Sequence, residues 1–359
     1  MFDALHSLKR YPFKKNELLK AYNSADEFLI KETYARDLLN KKILIINDHY
    51  GALTKLLESF IVTSYTDSYI SSKSIEINCG SSQLKINNIK EFKGKYDIVL
   101  IQIPKNMSFF EDILMNLTSH LHPETEIICG AMIKHLAPAS FTLLEKYIGP
   151  TKASLAQKKA RLIYSSFTKS AVTSSYPLTI QLDCFDRKII NHSNVFSRDK
   201  LDIGTRFFLD YIPQGDYKTI LDLGCGNGIV GIKAKINNPN AKIIFSDESF
   251  MSIESARANY KNYFEDQADF YWTNCFENQS ENSLDLVLCN PPFHLGHNIE
   301  DGISTQMFTD AYKSLKQNGI IRVVGNSHLA YQLKLKKIFG NSQIISTNNK
   351  FIICESIKK

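Results

Sequence analysis

The residues of this chain best placed to do chemistry are Asn290, Pro291, Pro292 and Phe293, which end the apolar run Leu286-Val-Leu-Cys289 and precede His294. The run is long enough for one buried strand, and two prolines cannot continue a ladder, so the strand stops there. Its carboxyl edge then carries an amide side chain, a backbone carbonyl that no neighbouring strand can easily claim, and an aromatic ring. In an open α/β sheet that edge is where ligands bind. The three groups suit a flat base bearing an exocyclic amino group: the Asn290 oxygen and the Pro291 carbonyl accept its two N–H bonds, and Phe293 stacks on its face. Taken alone, the same residues serve equally well as a strand terminator followed by a loop.

A second motif lies upstream. Asp222-Leu-Gly224-Cys-Gly226-Asn-Gly228 follows a predicted strand and opens a predicted helix. Glycines let the backbone turn tightly and let a cofactor approach closer than any Cβ would permit. A further acidic residue, Asp247, ends the next strand roughly twenty residues on, where it can hold a ribose diol. This order resembles the S-adenosylmethionine loop of class I methyltransferases more than the dinucleotide fingerprint. Asn274, after the following strand, falls near the adenine rim, although a turn-forming asparagine suits that place equally well.

The two motifs together describe methyl transfer to an amino nitrogen. The amino group of a guanine or adenine is a poor nucleophile because its lone pair is delocalised into the ring. Two acceptors holding its N–H bonds turn the nitrogen toward tetrahedral geometry and its lone pair toward a sulfonium methyl. No strongly perturbed base is required, because the protonated product amine sheds its proton readily. A stacked acceptor in RNA is an unpaired or flipped-out nucleotide.

Composition permits this and excludes little else. The chain is long enough for two domains, and its 43% hydrophobic and 22% charged residues suit a globular protein. No apolar run reaches the eighteen or so residues of a membrane span, and the amino terminus lacks an apolar signal region, so a cytoplasmic protein with no membrane association is expected. The seven cysteines form no Cys-x-x-Cys pair and read as reduced thiols. His294 and His297 lie three apart, but no cysteine or acidic triad completes a metal site, and no metal is expected. A net charge of +6 is compatible with a polyanionic partner without requiring one.

The elements that must position these motifs alternate between strand and helix, which argues for a mostly parallel, doubly wound α/β sheet. The amino half reads as an amphipathic helix over Asn16 to Asn40, strands at Lys42 to Ile46, Ile61 to Tyr65, Ile98 to Ile103 and Ile127 to Cys129, and intervening helices. A Ser/Thr-rich stretch around 171–177 reads as a linker between a domain at 1–170 and one at 178–359. The halves repeat each other. Lys42 to Leu53 answers Lys218 to Val230, Asp67-Ser-Tyr-Ile-Ser answers Asp247-Glu-Ser-Phe-Met-Ser, and Asp97 to Pro104 answers Asp285 to Pro292. Three matches in the same order indicate a tandem duplication. Where the second half has Gly224, Gly226 and Gly228, the first has Asn47, His49 and Gly51; where it has Asn290 and Phe293, the first has Gln102 and Lys105. Both motifs are present together in one half and lost together in the other, so no cofactor is expected in the first.

At this level the chain resembles the bacterial ribosomal RNA guanine-N2 methyltransferases. The resemblance is carried by Asn194-Val-Phe-Ser-Arg-Asp-Lys-Leu-Asp-Ile-Gly-Thr205, the glycine loop, Asp247-Glu-Ser, Cys289-Asn-Pro-Pro-Phe-His, Leu335-Lys-Lys-Ile-Phe-Gly-Asn and Thr347-Asn-Asn-Lys-Phe351. In the amino half it is carried by Ala25-Asp-Glu-Phe-Leu, Asn47-Asp-His-Tyr-Gly-Ala-Leu and Lys158-Lys-Ala-Arg-Leu, and these favour the enzymes acting on 23S rRNA over the sister enzymes acting on 16S rRNA. The resemblance implies two tandem class I, Rossmann-like domains, the first degenerate and gripping RNA, the second binding S-adenosylmethionine and releasing S-adenosylhomocysteine. It puts Phe196 to Thr205 over the cofactor pocket, with Asp202 and Thr205 helping to close it and Arg198 toward the substrate. Lys158, Lys159 and Arg161 become candidate phosphate contacts, Pro292 and His294 shape the acceptor pocket, and a monomer is expected. A competing reading is an RNA-binding assembly factor whose methyltransferase fold is a relic; the intact second-half motifs count against it.

Overall fold

The computed structural model describes residues 3–13, 15, 17–80, 84–292 and 297–359, of which the side chains of 297–301 are left aside. The chain forms two compact units, Met1–Tyr176 and Pro177–Lys359.

In the first unit the order is α1 (Asp3–His6), α2 (Ser24–Tyr34), β1 (Lys42–Ile46), α3 (Ala52–Leu56), β2 (Ile61–Tyr65), α4 (Tyr69–Cys79), β3 (Leu84–Ile86), β4 (Ile98–Gln102), α5 (Met107–Leu117), β5 (Glu126–Met132), α6 (Ala139–Tyr147), β6 (Thr151–Ala153) and β7 (Ala160–Ser166). The strands form one sheet in the order β3-β2-β1-β4-β5-β7-β6. β1 is central and its Ile43, Leu44, Ile45 and Ile46 are all fully buried, as a strand covered on both faces requires.

The second unit runs β8 (Leu178–Ile180), β9 (Ile189–Asn191), α7 (Ile203–Leu209), β10 (Thr219–Leu223), α8 (Ile229–Asn237), β11 (Lys242–Asp247), α9 (Phe250–Tyr263), β12 (Asp269–Trp272), β13 (Leu284–Cys289), α10 (His297–Ser314), β14 (Leu315–Asn326), α11 (Tyr331–Phe339), β15 (Gln343–Thr347) and β16 (Phe351–Ile357). β8 and β9 form a separate hairpin, and the remaining strands give the order β12-β11-β10-β13-β14-β16-β15. This is the first unit's order again, with β16 likewise the antiparallel member beside β14. Side chains alternate across the sheet. Leu286 and Leu288 therefore join the core beneath α7, α8 and α9, while Val287 and Cys289 join the core beneath α10 and α11.

The duplication extends to single hydrogen bonds. Asn259 of α9 clamps Ile190 from both sides, accepting its N–H at 2.7 Å and donating to its carbonyl at 2.8 Å, and donates to the Asn227 carbonyl at 2.9 Å. Asn78 of α4 does the same with Lys9, at 2.9 Å both ways, and with the Tyr50 carbonyl at 2.8 Å. The register corrects one pairing expected from the letters. Ile46 pairs with Tyr65, and Leu223 with Ser246, so Thr66, not Asp67, stands where the second unit has Asp247.

Two other expectations change. The helix expected over Asn16 to Asn40 is confined to α2, because Asn23 accepts the Ala25 N–H and Asp26 returns to the Asn23 N–H at 2.7 Å, a closed capping box that starts the helix there. Leu18 and Leu19, within the expected span and available to an apolar face, are exposed. The Ser/Thr-rich stretch is bound to the first unit: Val172 N–H donates to Thr118 Oγ1 at 2.9 Å and Ser174 Oγ to Asp112 Oδ1 at 2.6 Å.

Candidate active site

The glycine loop of the second unit joins β10 to α8. Gly224, Gly226 and Gly228 all have left-handed φ, of 74°, 54° and 82°. The N–H groups of Gly224 and Cys225 share the Ser246 carbonyl, at 2.9 and 3.0 Å, which binds the loop to the next strand. At Gly228 a Cβ would lie 3.0 Å from the Ala256 backbone, so glycine is required for close packing of α9. Gly226 has open space where its Cβ would be. A cradle for a ligand backbone approach would look like this, and the loop fits an adenosyl cofactor.

The two acidic residues do different work. Asp222 is buried and accepts the Gly231 N–H at 2.8 Å, so it braces the first turn of α8 from inside rather than facing a ligand. Burial pushes its carboxyl up to about 8, the Gly231 N–H opposing and the nearby Asp247 adding to the rise. Asp247 accepts the Gly226 N–H at 2.9 Å with one oxygen and the Ser249 N–H at 2.9 Å with the other. The same carboxylate thus positions Gly226 of the loop and the first turn of the helix that follows β11. Asn274 is buried, and its amide nitrogen donates to Glu277 Oε2 at 3.0 Å.

Asn290 follows the last residue of β13. Its Nδ2 donates to Thr205 Oγ1 at 2.9 Å. Its Oδ1 is buried and has no hydrogen-bond partner among the described residues. Thr205 is the third residue of α7; its N–H and its hydroxyl both reach Asp202 Oδ2, at 2.8 and 3.2 Å. Thr205, expected beside the cofactor, is thus brought to the Asn290 side chain. Pro291 is buried and Pro292 exposed; Phe293 and His294 lie outside the described residues.

The segment before α7 is pinned to the glycine loop, because Asn227 Nδ2 donates to Asn191 Oδ1 at 2.9 Å and Asn191 Nδ2 to the Arg198 carbonyl at 3.0 Å. Phe196 on this segment is exposed. Arg198 is held by both oxygens of Asp199, at 3.0 and 2.8 Å, and its side chain is mostly buried. Of the basic candidates in the first unit, Lys158 is exposed with its Nζ 2.9 Å from Glu27 Oε2. Lys159 gives its carbonyl to Ile133 N–H, and Arg161 lies on β7, with a buried Nε that has no partner among the described residues. Among the described residues no group of three His, Cys, Asp or Glu could hold a metal ion. No helix of the described residues is long and apolar enough to cross a membrane.

One residue escaped the sequence reading. Asn326 ends β14, the strand beside β13, and its Oδ1 is also buried without a partner among the described residues. The signal available was Val323-Val-Gly-Asn326, an apolar strand that ends in an amide one strand away from Asn290.

Known proteins resemble the chain over nearly its whole length. Residues 2–169 match the family model described as RLMG N-terminal domain, and 186–355 match the methyltransferase small domain. A protein of Psychromonas ingrahamii named ribosomal RNA large subunit methyltransferase G is 44% identical, the match covering 98% of this chain and 96% of that one. Its namesake in Stutzerimonas stutzeri is 41% identical over the same shares. Among solved structures, a T. thermophilus 16S rRNA N2 methyltransferase in complex with AdoMet and guanosine superposes with a TM-score of 0.78 at 17% identity, covering 99% of both chains, and so shares the fold. With relatives this similar over nearly its whole length, the chain belongs to the ribosomal RNA large subunit methyltransferase G family.

Proposed function

We propose that this protein methylates the exocyclic N2 amino group of one guanine in 23S rRNA, using S-adenosylmethionine, and that the second unit performs the transfer. The observation that carries this reading is the Asn290 side chain. Its nitrogen is committed to Thr205, and its oxygen is buried with no partner among the described residues. A buried acceptor left unpaired costs about 1–3 kcal/mol, a cost that a bound N–H donor would remove.

The cofactor supplies an electrophilic methyl group on a sulfonium. Gly224, Gly226 and Gly228 give it a close backbone approach, Asp247 takes its ribose hydroxyls, and Asn274 lies toward its adenine. Asn290 Oδ1 and the Pro291 carbonyl accept the two N–H bonds of the guanine amino group and aim its lone pair, while Phe293 stacks on the base and Pro292 and His294 shape the pocket. Placing the reactants in this way is worth about 7–11 kcal/mol, and one positioned polar group about 3 kcal/mol. The segment from Phe196 to Thr205 closes over the cofactor, with Arg198 keeping its shape.

The first unit is assigned to RNA. Its sheet has the same carboxyl edge with only the cap glycine, Gly51, left of the three, and Lys158, Lys159 and Arg161 gather where β5 ends and β7 begins. The family match over residues 2–169 and the naming of the relatives for the large subunit favour 23S over 16S rRNA. Transfer of labelled methyl groups to unmodified 23S and 16S rRNA, naked and in subunits, followed by mapping of the modified base, tests this. One N2-methylguanine in 23S rRNA is expected; modification of 16S rRNA alone, or of neither, overturns it.

A further inference from the structure

The carboxyl edge of the second sheet carries two amides, not one. β13 and β14 are parallel and Cys289 pairs with Val323, so Asn290 comes level with Val324 and Asn326 lies two residues beyond. Side chains on neighbouring strands at the same level share a face, and residues two apart return to it. Asn290 and Asn326 therefore stand on one side of the sheet.

Three contacts identify that side as the one beneath the first turn of α7. Asn290 Nδ2 bonds Thr205. Val324 packs in the same core cluster as Phe208. Asn326 is the cross-strand partner of Phe351, and a Cβ added to Gly204 would lie 2.9 Å from the Phe351 ring. From strand spacing and rise, the two asparagine Cα atoms are about 8 Å apart, close enough for both side chains to reach one edge of one base. Each presents a buried amide oxygen with no partner among the described residues, and unsatisfied buried acceptors are rare enough in native proteins to call for a ligand or water.

We propose that Asn326 is the guanine-reading residue of this site: its Oδ1 accepts the N1–H of the same guanine whose N2 amino group is held by Asn290. This rests on the reading of Asn290 given above. Guanine alone among the four bases places a ring N–H next to an exocyclic amino group. Adenine and cytosine have an unprotonated ring nitrogen there, and uracil has no amino group. Two neighbouring acceptors thus admit guanine and set lone pair against lone pair for adenine and cytosine. A site built around a hydrogen bond rejects the analogue that lacks it far better than shape alone can.

The test uses the full-length protein saturated with S-adenosylhomocysteine, titrated with guanosine and with 2,6-diaminopurine riboside, which keeps the 2-amino group but has no N1 proton. Methyl transfer to unmodified 23S rRNA is measured beside it. The wild type should bind guanosine at least about tenfold more tightly than the analogue. Asn326→Ala should lower guanosine affinity and kcat/KM on rRNA by about ten- to a hundredfold, leave the analogue's affinity unchanged or raise it, and so erase the preference. Asn326→Asp keeps an acceptor oxygen in place and should retain it. Equal weakening of both nucleosides by Asn326→Ala, or an undiminished preference, overturns the proposal. If that variant no longer binds S-adenosylmethionine, the wild-type ratio decides, and a ratio near one overturns it. A wild type that methylates no rRNA guanine, or an Asn290→Ala variant that still does, removes the underlying reading instead and is distinguishable from either outcome.

Discussion

Thr205 Oγ1 accepts a hydrogen bond from Asn290 Nδ2 at 2.9 Å while lying 3.2 Å from Asp202 Oδ2, and this pairing decides which end of the Asn290 amide is engaged by α7. A hydroxyl has one proton to give, and Asp202, as a carboxylate, can only accept. The Thr205 proton therefore goes to Asp202, and its lone pair takes the amide nitrogen of Asn290. The oxygen is left without a partner among the described residues, as the proposed grip on the substrate amino group requires.

Thr205→Val keeps the shape of the side chain and removes that arbitration. We expect kcat for methyl transfer to fall about ten- to a hundredfold, the cost of losing one or two positioned hydrogen bonds, with the affinity for S-adenosylmethionine within about twofold of wild type, and Thr205→Ser to restore most of the rate. Single-turnover rates and calorimetry separate the two quantities. A loss confined to cofactor affinity would make Thr205 a cofactor contact and remove it from the positioning of Asn290.

The first unit contains the same relationship in altered chemistry. Gln102 ends β4 as Asn290 follows β13, and its Nε2 donates to Asp26, the third residue of α2, which begins at a capping asparagine as α7 begins at a capping aspartate. Strands, glycine loop, duplication and the Asn290 edge were legible because each rests on local residue types: apolar runs, glycines that a left-handed φ demands, prolines that stop a ladder. The amide clamp was not, since it joins residues 85 positions apart in sequence and Thr205 carries no local mark of the contact. The one-residue offset at Asp67 escaped for a related reason, because strand pairing sets register and letters alone do not. Its place in the motif marks Asp222 as a cofactor residue; only the packing shows that it is buried against the first turn of α8.

One glycine of the loop and one of α8 should separate binding from folding. Gly226 has open space at its Cβ position and a φ of 54°, so Gly226→Ala adds only backbone strain of about 1–2 kcal/mol but fills the approach to the cofactor. The variant should fold with S-adenosylmethionine affinity reduced at least about tenfold, a loss of about 1.4 kcal/mol. At Gly231 a Cβ would come 2.3 Å from the Phe245 ring. Gly231→Ala should instead destabilise the second unit by about 1–3 kcal/mol. Urea unfolding followed through Trp272, the chain's one tryptophan, reads that unit specifically. Equal loss of stability in both variants would remove the distinction.

Asp222 gives the second unit a pH dependence of definite sign. Its carboxyl titrates near 3.8 when unfolded and at about 8 when folded, chiefly because of burial. The folded state keeps a proton that the unfolded chain has lost, so this contribution to stability is fully present below about pH 4 and is lost as pH rises through about 8, at up to about 1.4 kcal/mol per pH unit. Asn at this position keeps an oxygen for the Gly231 N–H and cannot ionise. Between pH 5.5 and 9 the urea midpoint of the wild type should therefore fall more steeply than that of Asp222→Asn, again by Trp272 fluorescence. Parallel profiles would show that the carboxyl is ionised in the folded protein throughout.

One molecule of S-adenosylmethionine should bind per chain. In the first unit the cap glycine survives as Gly51, with a φ of 81°, but the positions ahead of it are filled. Asn47 keeps the left-handed backbone and spends its side chain on the Gln102 carbonyl, at 3.2 Å. Tyr50 is covered by Arg10, which lies 4.8 Å from its ring centroid and donates to its hydroxyl at 2.7 Å. Thr66 stands where the second unit has Asp247, the carboxylate proposed to take the ribose hydroxyls. A backbone cradle with side chains in it and no acid for the diol cannot receive the cofactor as the second unit can. Calorimetry on the full chain should give a stoichiometry near one, and Gly226→Ala should weaken that single isotherm as a whole. A second set of sites untouched by Gly226→Ala would mean that the first unit still binds cofactor, and its assignment to RNA would have to be abandoned.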